Sequence, residues 1–177
     1  MIKDLLVIIF VLGMLVLNLM WFASISGCGV DPSTDLDRIK VNSLCGKSKG
    51  TVTRVIDGDT IELEDGRKIR YLHIDTPELS YSESKPDECF ASWAKKLNEQ
   101  LVLNQTVELE YDTNCLDRFG RSLAFIKIKD IMVNKILVER GYARLMIIPP
   151  NNKYKEEFEL LRDQARKTKA GIWGRCQ

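Results

Sequence analysis

Residues 51–74 read TVTRVIDGDTIELEDGRKIRYLHI, and this stretch decides the fold. Asp57-Gly58 and Glu64-Asp65-Gly66 are turn signals, and the residues around them are rich in β-branched side chains or alternate between polar and apolar. The stretch therefore predicts three strands of a β-meander: Thr51–Ile56, Thr60–Leu63 and Lys68–Ile74.

The residues that follow predict a helix, two further strands and then more helices. A stripe of apolar residues at intervals of three and four indicates a helix over Glu88–Leu103, with these side chains in the core: Phe90, Trp93, Ala94, Leu97 and Leu101. The later elements are a fourth strand around Val107–Tyr111, a fifth over Ser122–Ile128, and helices over Val133–Arg140 and Tyr154–Thr168. This order is typical of an α+β fold with a mainly β core, a small closed barrel covered by helices.

Composition bounds the chain to one domain and a targeting segment. It has 177 residues, of which 45% are hydrophobic and 29% are charged, as in ordinary folded domains. The net charge of +1 argues against a protein that coats nucleic acid non-specifically, because such proteins carry a strong basic excess. Any contact with nucleic acid should therefore be confined to a site.

The N-terminus predicts export and attachment to a membrane. Leu5–Ala23 is almost entirely apolar, and Ile25-Ser26-Gly27-Cys28 resembles a bacterial lipobox, in which the cysteine receives lipid. An uncleaved signal anchor is the alternative, and both place the rest of the chain outside the cytoplasm. The expected domains are a signal or anchor over 1–28, a polar linker over 29–48 and a folded domain over 49–177.

The remaining cysteines fit an oxidising compartment. If Cys28 carries lipid, four are left and can pair in three ways. We favour Cys89–Cys115, which would tie the start of a helix to an arginine-bearing loop, and Cys45–Cys176, which would join the two ends of the domain. Buried free thiols are the alternative. A zinc site is not expected, because there is no Cys-x-x-Cys pair and only one histidine.

Carboxylates and arginines recur over about sixty residues and point to phosphoryl chemistry. They lie in three segments and one strand: Asp57–Thr60, Arg70, Asp75–Glu78 and Asp117–Arg121. Carboxylate and carbonyl oxygens are the ligands of hard divalent cations. Guanidinium groups bind phosphate through two parallel hydrogen bonds and keep their charge. Together they predict metal-assisted cleavage of a phosphodiester.

From about Gly50 to Trp173 the chain resembles the staphylococcal nuclease (thermonuclease) family, whose fold is a five-stranded OB-type barrel with three helices. The resemblance rests on the three segments above and on landmarks further on: Met132-Val133-Asn134, Pro150-Asn151-Asn152 and Gly171-Ile172-Trp173. It implies a calcium-dependent endonuclease that acts on DNA and RNA and leaves 3′-phosphates.

The resemblance also implies roles for individual residues. Three would bind Ca²⁺: the carboxylates of Asp59 and Asp75 and the backbone carbonyl of Thr76. Three would be catalytic: Glu78 as general base, and Arg70 and Arg121 on the scissile phosphate. Arg118 and Phe119 would be peripheral contacts to nucleic acid, with a solvated charge as the alternative for Arg118.

Several residues near these motifs are assigned structural roles. Asp57 is more typical of a turn or of support for the site than of a metal ligand. His73 is expected to be structural. Arg70 and Asp75 differ in parity, so an ideal strand would place them on opposite faces. The strand is therefore predicted to bend or end before Asp75. Leu145–Ile148 is aliphatic where the family has base-contacting tyrosines, which leaves base preference open.

Two other function classes compete with the enzyme. One is a catalytically silent barrel that binds nucleic acid, and the presence of all six expected site residues argues against it. The other is a lipid-anchored interaction domain, which the near-neutral charge permits. The prediction is an exported, monomeric nuclease.

Overall fold

The computed structural model describes residues 45–80, 82 and 84–176. The predicted signal segment, the lipidation site Cys28 and residues 29–44 of the predicted linker lie outside the described residues. Within the ranges that the structure describes, no helix is long and apolar enough to cross a membrane.

In the described residues, the five longer strands and the three longer helices follow the order that the sequence indicates, and three two-residue strands and one four-residue helix are added. The strands are β1 (Lys49–Val55), β2 (Thr60–Leu63), β3 (Lys68–Tyr71), β4 (Ile74–Asp75), β5 (Thr106–Glu110), β6 (Ser122–Ile128), β7 (Ile131–Met132) and β8 (Arg144–Leu145). The helices are α1 (Ala91–Val102), α2 (Val133–Glu139), α3 (Lys155–Lys167) and the short α4 (Ile172–Arg175).

Five strands close into a barrel. They follow the order β3-β2-β1-β5-β6 with antiparallel neighbours, and β3 pairs parallel with β6 to complete the ring. In that closing pair Arg70 lies opposite Leu123. Together with the three longer helices in the described part of the chain, this confirms the predicted α+β OB-type fold.

The barrel encloses the apolar core. The following side chains are completely buried there: Val52, Ile61, Ile69, Val107, Phe125 and Ile126. Helix α1 covers the barrel with Ala94, Leu97 and Val102. Apolar burial of this kind contributes about 25 cal/mol per Å².

The prediction that Trp93 and Phe90 belong to the core is wrong for Trp93. The Trp93 side chain is 53% exposed, and Phe90 is only partly buried. Phe90 caps α1 in the left-handed conformation (φ 77°), so the helix begins at Ala91, later than expected. Its buried stripe passes through Ala94, and Trp93 lies about 100° away around the helix axis.

The strand that carries Arg70 ends before Asp75, as predicted from the even and odd positions of these two residues. Strand β3 stops at Tyr71, His73 has a φ of 67°, and Asp75 belongs to the separate strand β4. Backbone in the left-handed region redirects the chain, so that Asp75 can face Arg70.

His73 is built into the core. It is 2% exposed, and its Nε2 donates a hydrogen bond to the Lys153 carbonyl at 2.7 Å. Its ring lies edge-on to Phe125 and Phe158. Burial lowers the pKa of His73, so the neutral imidazole is favoured. These contacts agree with the structural role expected from the sequence.

The favoured disulfide pairing is wrong. The bridges are Cys45–Cys115 and Cys89–Cys176, not Cys89–Cys115 and Cys45–Cys176. The reason lies in the sheet: β1 and β5 are antiparallel, with Lys49 opposite Glu108. Cys45, just before β1, and Cys115, just after β5, therefore reach the same end of the barrel.

Candidate active site

A tight turn between β1 and β2 places Asp59. The Asp57 carboxylate accepts a hydrogen bond from the Asp59 amide at 3.0 Å, and the Ile56 amide donates to the Thr60 carbonyl at 2.9 Å. Aspartate commonly bonds to its own turn in this way. Asp57 thus has the turn role predicted from the sequence, and Asp59, next along the turn, is 1% exposed.

Thr76 holds the Asp59 carboxylate from the other side. Its amide and its hydroxyl both donate to Asp59 Oδ2, at 2.7 Å and 3.0 Å. Gly58 permits this approach, because a Cβ there would lie 2.6 Å from Thr76 Oγ1 and 2.8 Å from Ala94 Cβ. Any larger residue at position 58 would push the turn away from Thr76.

A buried amide supports the same turn and was missed in the sequence. Asn98 on α1 is completely buried, accepts a hydrogen bond from the Tyr71 hydroxyl at 2.9 Å and donates to the Asp57 carbonyl at 3.2 Å. An asparagine beside Leu97 on the buried face of α1 was the available signal, since a buried amide requires partners.

Arg70 joins two aspartates that are distant from each other in sequence. Its guanidinium is nearly buried and pairs with Asp59 and with Asp75, the latter through Nη2 and Oδ1 at 2.9 Å. Burial lowers the pKa of Arg70, while the charges of Asp75 and Asp57 oppose that shift. Even a lowered arginine pKa leaves the group cationic.

Arg121 is presented by a compact turn. Asp117 accepts hydrogen bonds from the amides of Phe119 and Arg121 at 2.8 Å and 2.9 Å, and from Arg121 Nε at 2.6 Å. The positive charge of Arg121 acts on both Arg70 and Asp57, so its guanidinium lies near the same group of charges. Asp117 is therefore a positioning residue, a role that the sequence analysis did not assign although it named the Asp117–Arg121 segment.

Glu78 belongs with Asp59, Asp75, Arg70 and Arg121 to one charged cluster. Glu78 itself is exposed. Although the residue is exposed overall, partial desolvation of its carboxyl group raises the pKa of Glu78, and the negative charges of Asp57 and Asp75 raise it further, while Arg70 opposes them. Its backbone carbonyl accepts a hydrogen bond from the Glu88 amide at 3.0 Å, which joins the two ends of the loop before α1. The raised pKa makes Glu78 a stronger proton acceptor than an ordinary glutamate.

The candidate oxygen donors for a hard cation are the two carboxylates of Asp59 and Asp75. In the part of the chain described, no group of three or more His, Cys, Asp or Glu residues is arranged to hold a metal ion. Asp59 and Asp75 nevertheless face one positive group, the guanidinium of Arg70. Carboxylate oxygens are the ligands that Ca²⁺ takes in proteins, so Asp59 and Asp75 are the candidate donors, and in this structure the guanidinium of Arg70 is their positive partner.

A cavity of about 560 Å³ opens beside the two arginines. Arg70 and Arg121 contribute to its lining, and its apolar lining includes Leu116, Phe119, Leu123, Met146 and Ile148. Phe119 is 68% exposed, and the Arg118 guanidinium lies 4.7 Å from its ring centre. Met146 and Ile148 belong to Leu145–Ile148, the segment that is aliphatic where the resembled family has tyrosines.

Two hydrogen bonds join Asn114 and Asn151, which both line this cavity. Asn151 Oδ1 accepts a hydrogen bond from the Asn114 amide at 2.7 Å, and Asn151 Nδ2 donates to the Asn114 carbonyl at 2.8 Å. The pair joins the loop before Arg121 to the segment that leads into α3. The two segments of the cavity lining are thereby held together.

Known proteins are similar to this chain in sequence. Residues 68–175 match the family of staphylococcal nuclease homologues. The chain is 38% identical to the thermonuclease of Staphylococcus intermedius over 127 residues, 70% of this chain and 75% of that protein. It is 39% identical to the thermonuclease of Staphylococcus hyicus over 125 residues, 69% of this chain and 73% of that protein.

A third relative is the endonuclease YncB of Bacillus subtilis (strain 168), 36% identical over 133 residues, which are 71% of this chain and 61% of that protein. The chain belongs to the staphylococcal nuclease family. The relatives support an endonuclease as its general function.

The structure brings the candidate catalytic residues together. Asp59, Asp75 and Arg70 are in direct contact, and Thr76 bonds to Asp59. Electrostatic interactions link Glu78 and Arg121 to the same group. Arg118 and Phe119, predicted as peripheral contacts, lie on the cavity wall.

Proposed function

We propose that this protein is a Ca²⁺-dependent endonuclease that hydrolyses phosphodiester bonds of DNA, RNA or both and leaves 3′-phosphates. One observation carries the proposal: Arg70 joins Asp59 and Asp75 at the edge of a cavity that Arg121 also lines. Anion-binding groups and cation-binding groups therefore share one site, as cleavage of a charged ester requires.

The chain's own residues supply binding and proton transfer. Arg70 and Arg121 bind the phosphate and stabilise the charge that develops on its oxygens in the transition state. Glu78 accepts the proton of the attacking water, and its raised pKa strengthens it for this task. The new P–O bond forms as the bond to the 5′ oxygen breaks. That oxygen leaves with the rest of the strand and takes a proton from water to become a 5′ hydroxyl, so the phosphate stays on the 3′ side.

Asp59, Asp75 and the Thr76 carbonyl would hold Ca²⁺. The bound ion would polarise a phosphoryl oxygen and position the attacking water. Asp59 is prepared for this role because Thr76 and the Asp57 turn fix its carboxylate before any ligand arrives.

Export and membrane attachment are also part of the proposal. The apolar run Leu5–Ala23 and the lipobox-like Ile25–Cys28 support a lipoprotein or a signal anchor, and both predict a location outside the cytoplasm. The two disulfides support an oxidising compartment. Mass spectrometry of the membrane fraction would show whether Cys28 carries lipid. The protein is proposed to act as a monomer.

Digestion assays test the catalytic proposal. Purified full-length protein should cleave plasmid DNA or RNA with Ca²⁺ and fail with EGTA. We expect Glu78→Gln and Arg121→Ala each to lower kcat by about 10²–10³. The matched controls are Glu156→Gln, at an exposed residue of α3, and Arg162→Ala, at a partly exposed one, and both should keep full activity.

Cleavage that continues in EGTA, or full activity of both site variants, would refute the mechanism. Binding of nucleic acid by the wild type without cleavage in Ca²⁺ would support the silent binding module instead. Labelling the new ends distinguishes 3′-phosphate from 5′-phosphate products.

A further inference from the structure

Three aromatic side chains form a surface outside the cavity. Phe90 lies 5.0 Å from Tyr142 and 6.4 Å from Trp93, measured between ring centroids. We call this group the aromatic surface. Trp93 is its most accessible member, with 53% of the residue exposed, and Lys96 Nζ lies 5.9 Å from the centre of its ring. An indole left in water with a cation beside it is available to a ligand.

Cationic residues border the aromatic surface. Arg144, two residues after Tyr142, has a half-exposed side chain and a long contact of 3.9 Å with Glu88. The Cys89–Cys176 disulfide brings the exposed Arg175 next to the start of α1. Lys96 thus lies beside an aromatic face, while Arg144 and Arg175 lie on segments that adjoin Tyr142 and, across the disulfide, the start of α1. That combination suits a chain with both phosphates and flat bases.

The aromatic surface is close to the Asp57–Thr60 turn, which places Asp59. Ala94, the residue after Trp93, packs against Gly58, which stands between Asp57 and Asp59. Because Trp93 and Ala94 share one turn of α1, the indole lies within about one helix diameter, about 10–12 Å, of that turn. On the other side, Arg144 pairs in register with Asp75 across β4 and β8. Tyr142 therefore lies two residues before the strand that pairs with Asp75, and Trp93 lies one residue before the helix residue that packs against Gly58.

We infer that the aromatic surface binds a single-stranded segment of the substrate, with a base stacked on Trp93 and the neighbouring phosphates near Lys96 and Arg144. The inference rests on the proposed nuclease function. Stacking on an exposed ring tolerates any base, because every base has a flat face. The surface would thus raise affinity for long strands without selecting sequence, at nucleotides beyond those at the scissile phosphate.

The inference predicts an effect that depends on substrate length. In the full-length protein, Trp93→Ala should raise KM about tenfold for a 20-nucleotide dT strand, equivalent to about 1.4 kcal/mol, with kcat unchanged. A dinucleotide is too short to reach the aromatic surface, so its kcat/KM should not change. Trp93→Phe keeps a ring and should restore most of the affinity. Leu160→Ala, at a 71% exposed apolar residue of α3, is the matched control.

A binding measurement separates this inference from the nuclease proposal. Fluorescence anisotropy with a labelled dT strand of 20 nucleotides, in EGTA and at low salt, should show weaker binding for Trp93→Ala than for the wild type and Leu160→Ala. Equal binding by all three, or equal loss on the dinucleotide, overturns the inference while the nuclease proposal stands. Failure of the wild type to cleave any strand refutes the nuclease proposal, whatever the anisotropy shows.

Vesicles provide the remaining comparison. The exposed indole could instead meet a lipid surface, so sedimentation with phosphatidylglycerol vesicles is measured for the same variants. A Trp93-dependent loss of vesicle binding, with dT binding unchanged, overturns the inference. A Trp93-dependent loss of dT binding, with vesicle binding unchanged, supports it.

Discussion

At the scale of single residues, small and polar groups around the Asp57–Thr60 turn position the Asp59 carboxylate as much as the charged groups do. Asp59 is placed by Thr76, Gly58 leaves room for that contact, and Asn98 holds the Asp57 carbonyl. These residues fix the carboxylate in the folded protein, so the proposed binding of a cation would not need to order it. Substitutions here should affect stability and activity together.

Asn98 and Tyr71 are predicted to act as a coupled pair. Asn98→Ala leaves the buried Tyr71 hydroxyl and the Asp57 carbonyl without their partner, and should cost about 2–3 kcal/mol in the free energy of unfolding. Tyr71→Phe removes the hydroxyl and should therefore cost less when Asn98 is already alanine. Urea unfolding of the four proteins in this cycle measures the coupling. Strict additivity would contradict the pairing.

At the scale of secondary structure elements, Glu110 connects β5 to its neighbours. Its carboxylate accepts hydrogen bonds or ion pairs from Lys127 of β6, from Lys153 before α3, and from the Tyr154 hydroxyl at 2.7 Å. Although burial acts in the opposite direction, these three partners lower the pKa of Glu110 from 4.5 to about 2. The ionised carboxylate is thus stabilised by folding.

The lowered pKa predicts a loss of stability in acid. Because the folded pKa lies below the unfolded value of 4.5, the contribution of Glu110 is fully present above about pH 4.5 and is lost as pH falls toward 2. Allowing for partial solvent exposure, we expect Glu110→Gln to lower the free energy of unfolding by about 1–2 kcal/mol at pH 7. Urea unfolding between pH 7 and 2 should show the gap to the wild type closing.

The exposed Glu156→Gln serves as the matched control and should run parallel to the wild type over this pH range. A constant difference between Glu110→Gln and the wild type, down to pH 2, would show that the carboxylate charge is not the source of the effect.

At the scale of the whole molecule, two disulfides tie together parts that are distant in sequence. Cys45–Cys115 spans 70 residues and Cys89–Cys176 spans 87. Each restricts a long loop of the unfolded chain, so each should contribute about 2–4 kcal/mol. Cys89–Cys176 also holds the C-terminal helix α4 against the start of α1.

Peptide mapping without reduction tests the pairing. It should recover Cys45 linked to Cys115 and Cys89 linked to Cys176, and the variants Cys45→Ala/Cys115→Ala and Cys89→Ala/Cys176→Ala should each lower Tm. Recovery of Cys89 linked to Cys115 would restore the pairing favoured from the sequence. Unchanged thermal stability after full reduction would refute the stabilising role.

Local sequence signals determined the barrel and the members of the candidate site. Alternating residues and turn signals act within a few positions, so the strands and most helix ends were predicted closely. The parity of Arg70 and Asp75 predicted the interruption that the left-handed backbone of His73 provides. Motifs with a characteristic chemistry, such as Asp75–Glu78, identified candidate site residues without coordinates.

Only the tertiary structure decided which distant groups meet. The antiparallel pairing of β1 and β5 brings Cys45 to Cys115, and the position of α1 on the barrel leaves Trp93 in solvent while it buries Asn98. Periodicity identifies an apolar face but not its rotation by a single residue. Disulfide partners, buried amides and the aromatic surface depend on how whole elements pack, and packing is a property of the assembled barrel.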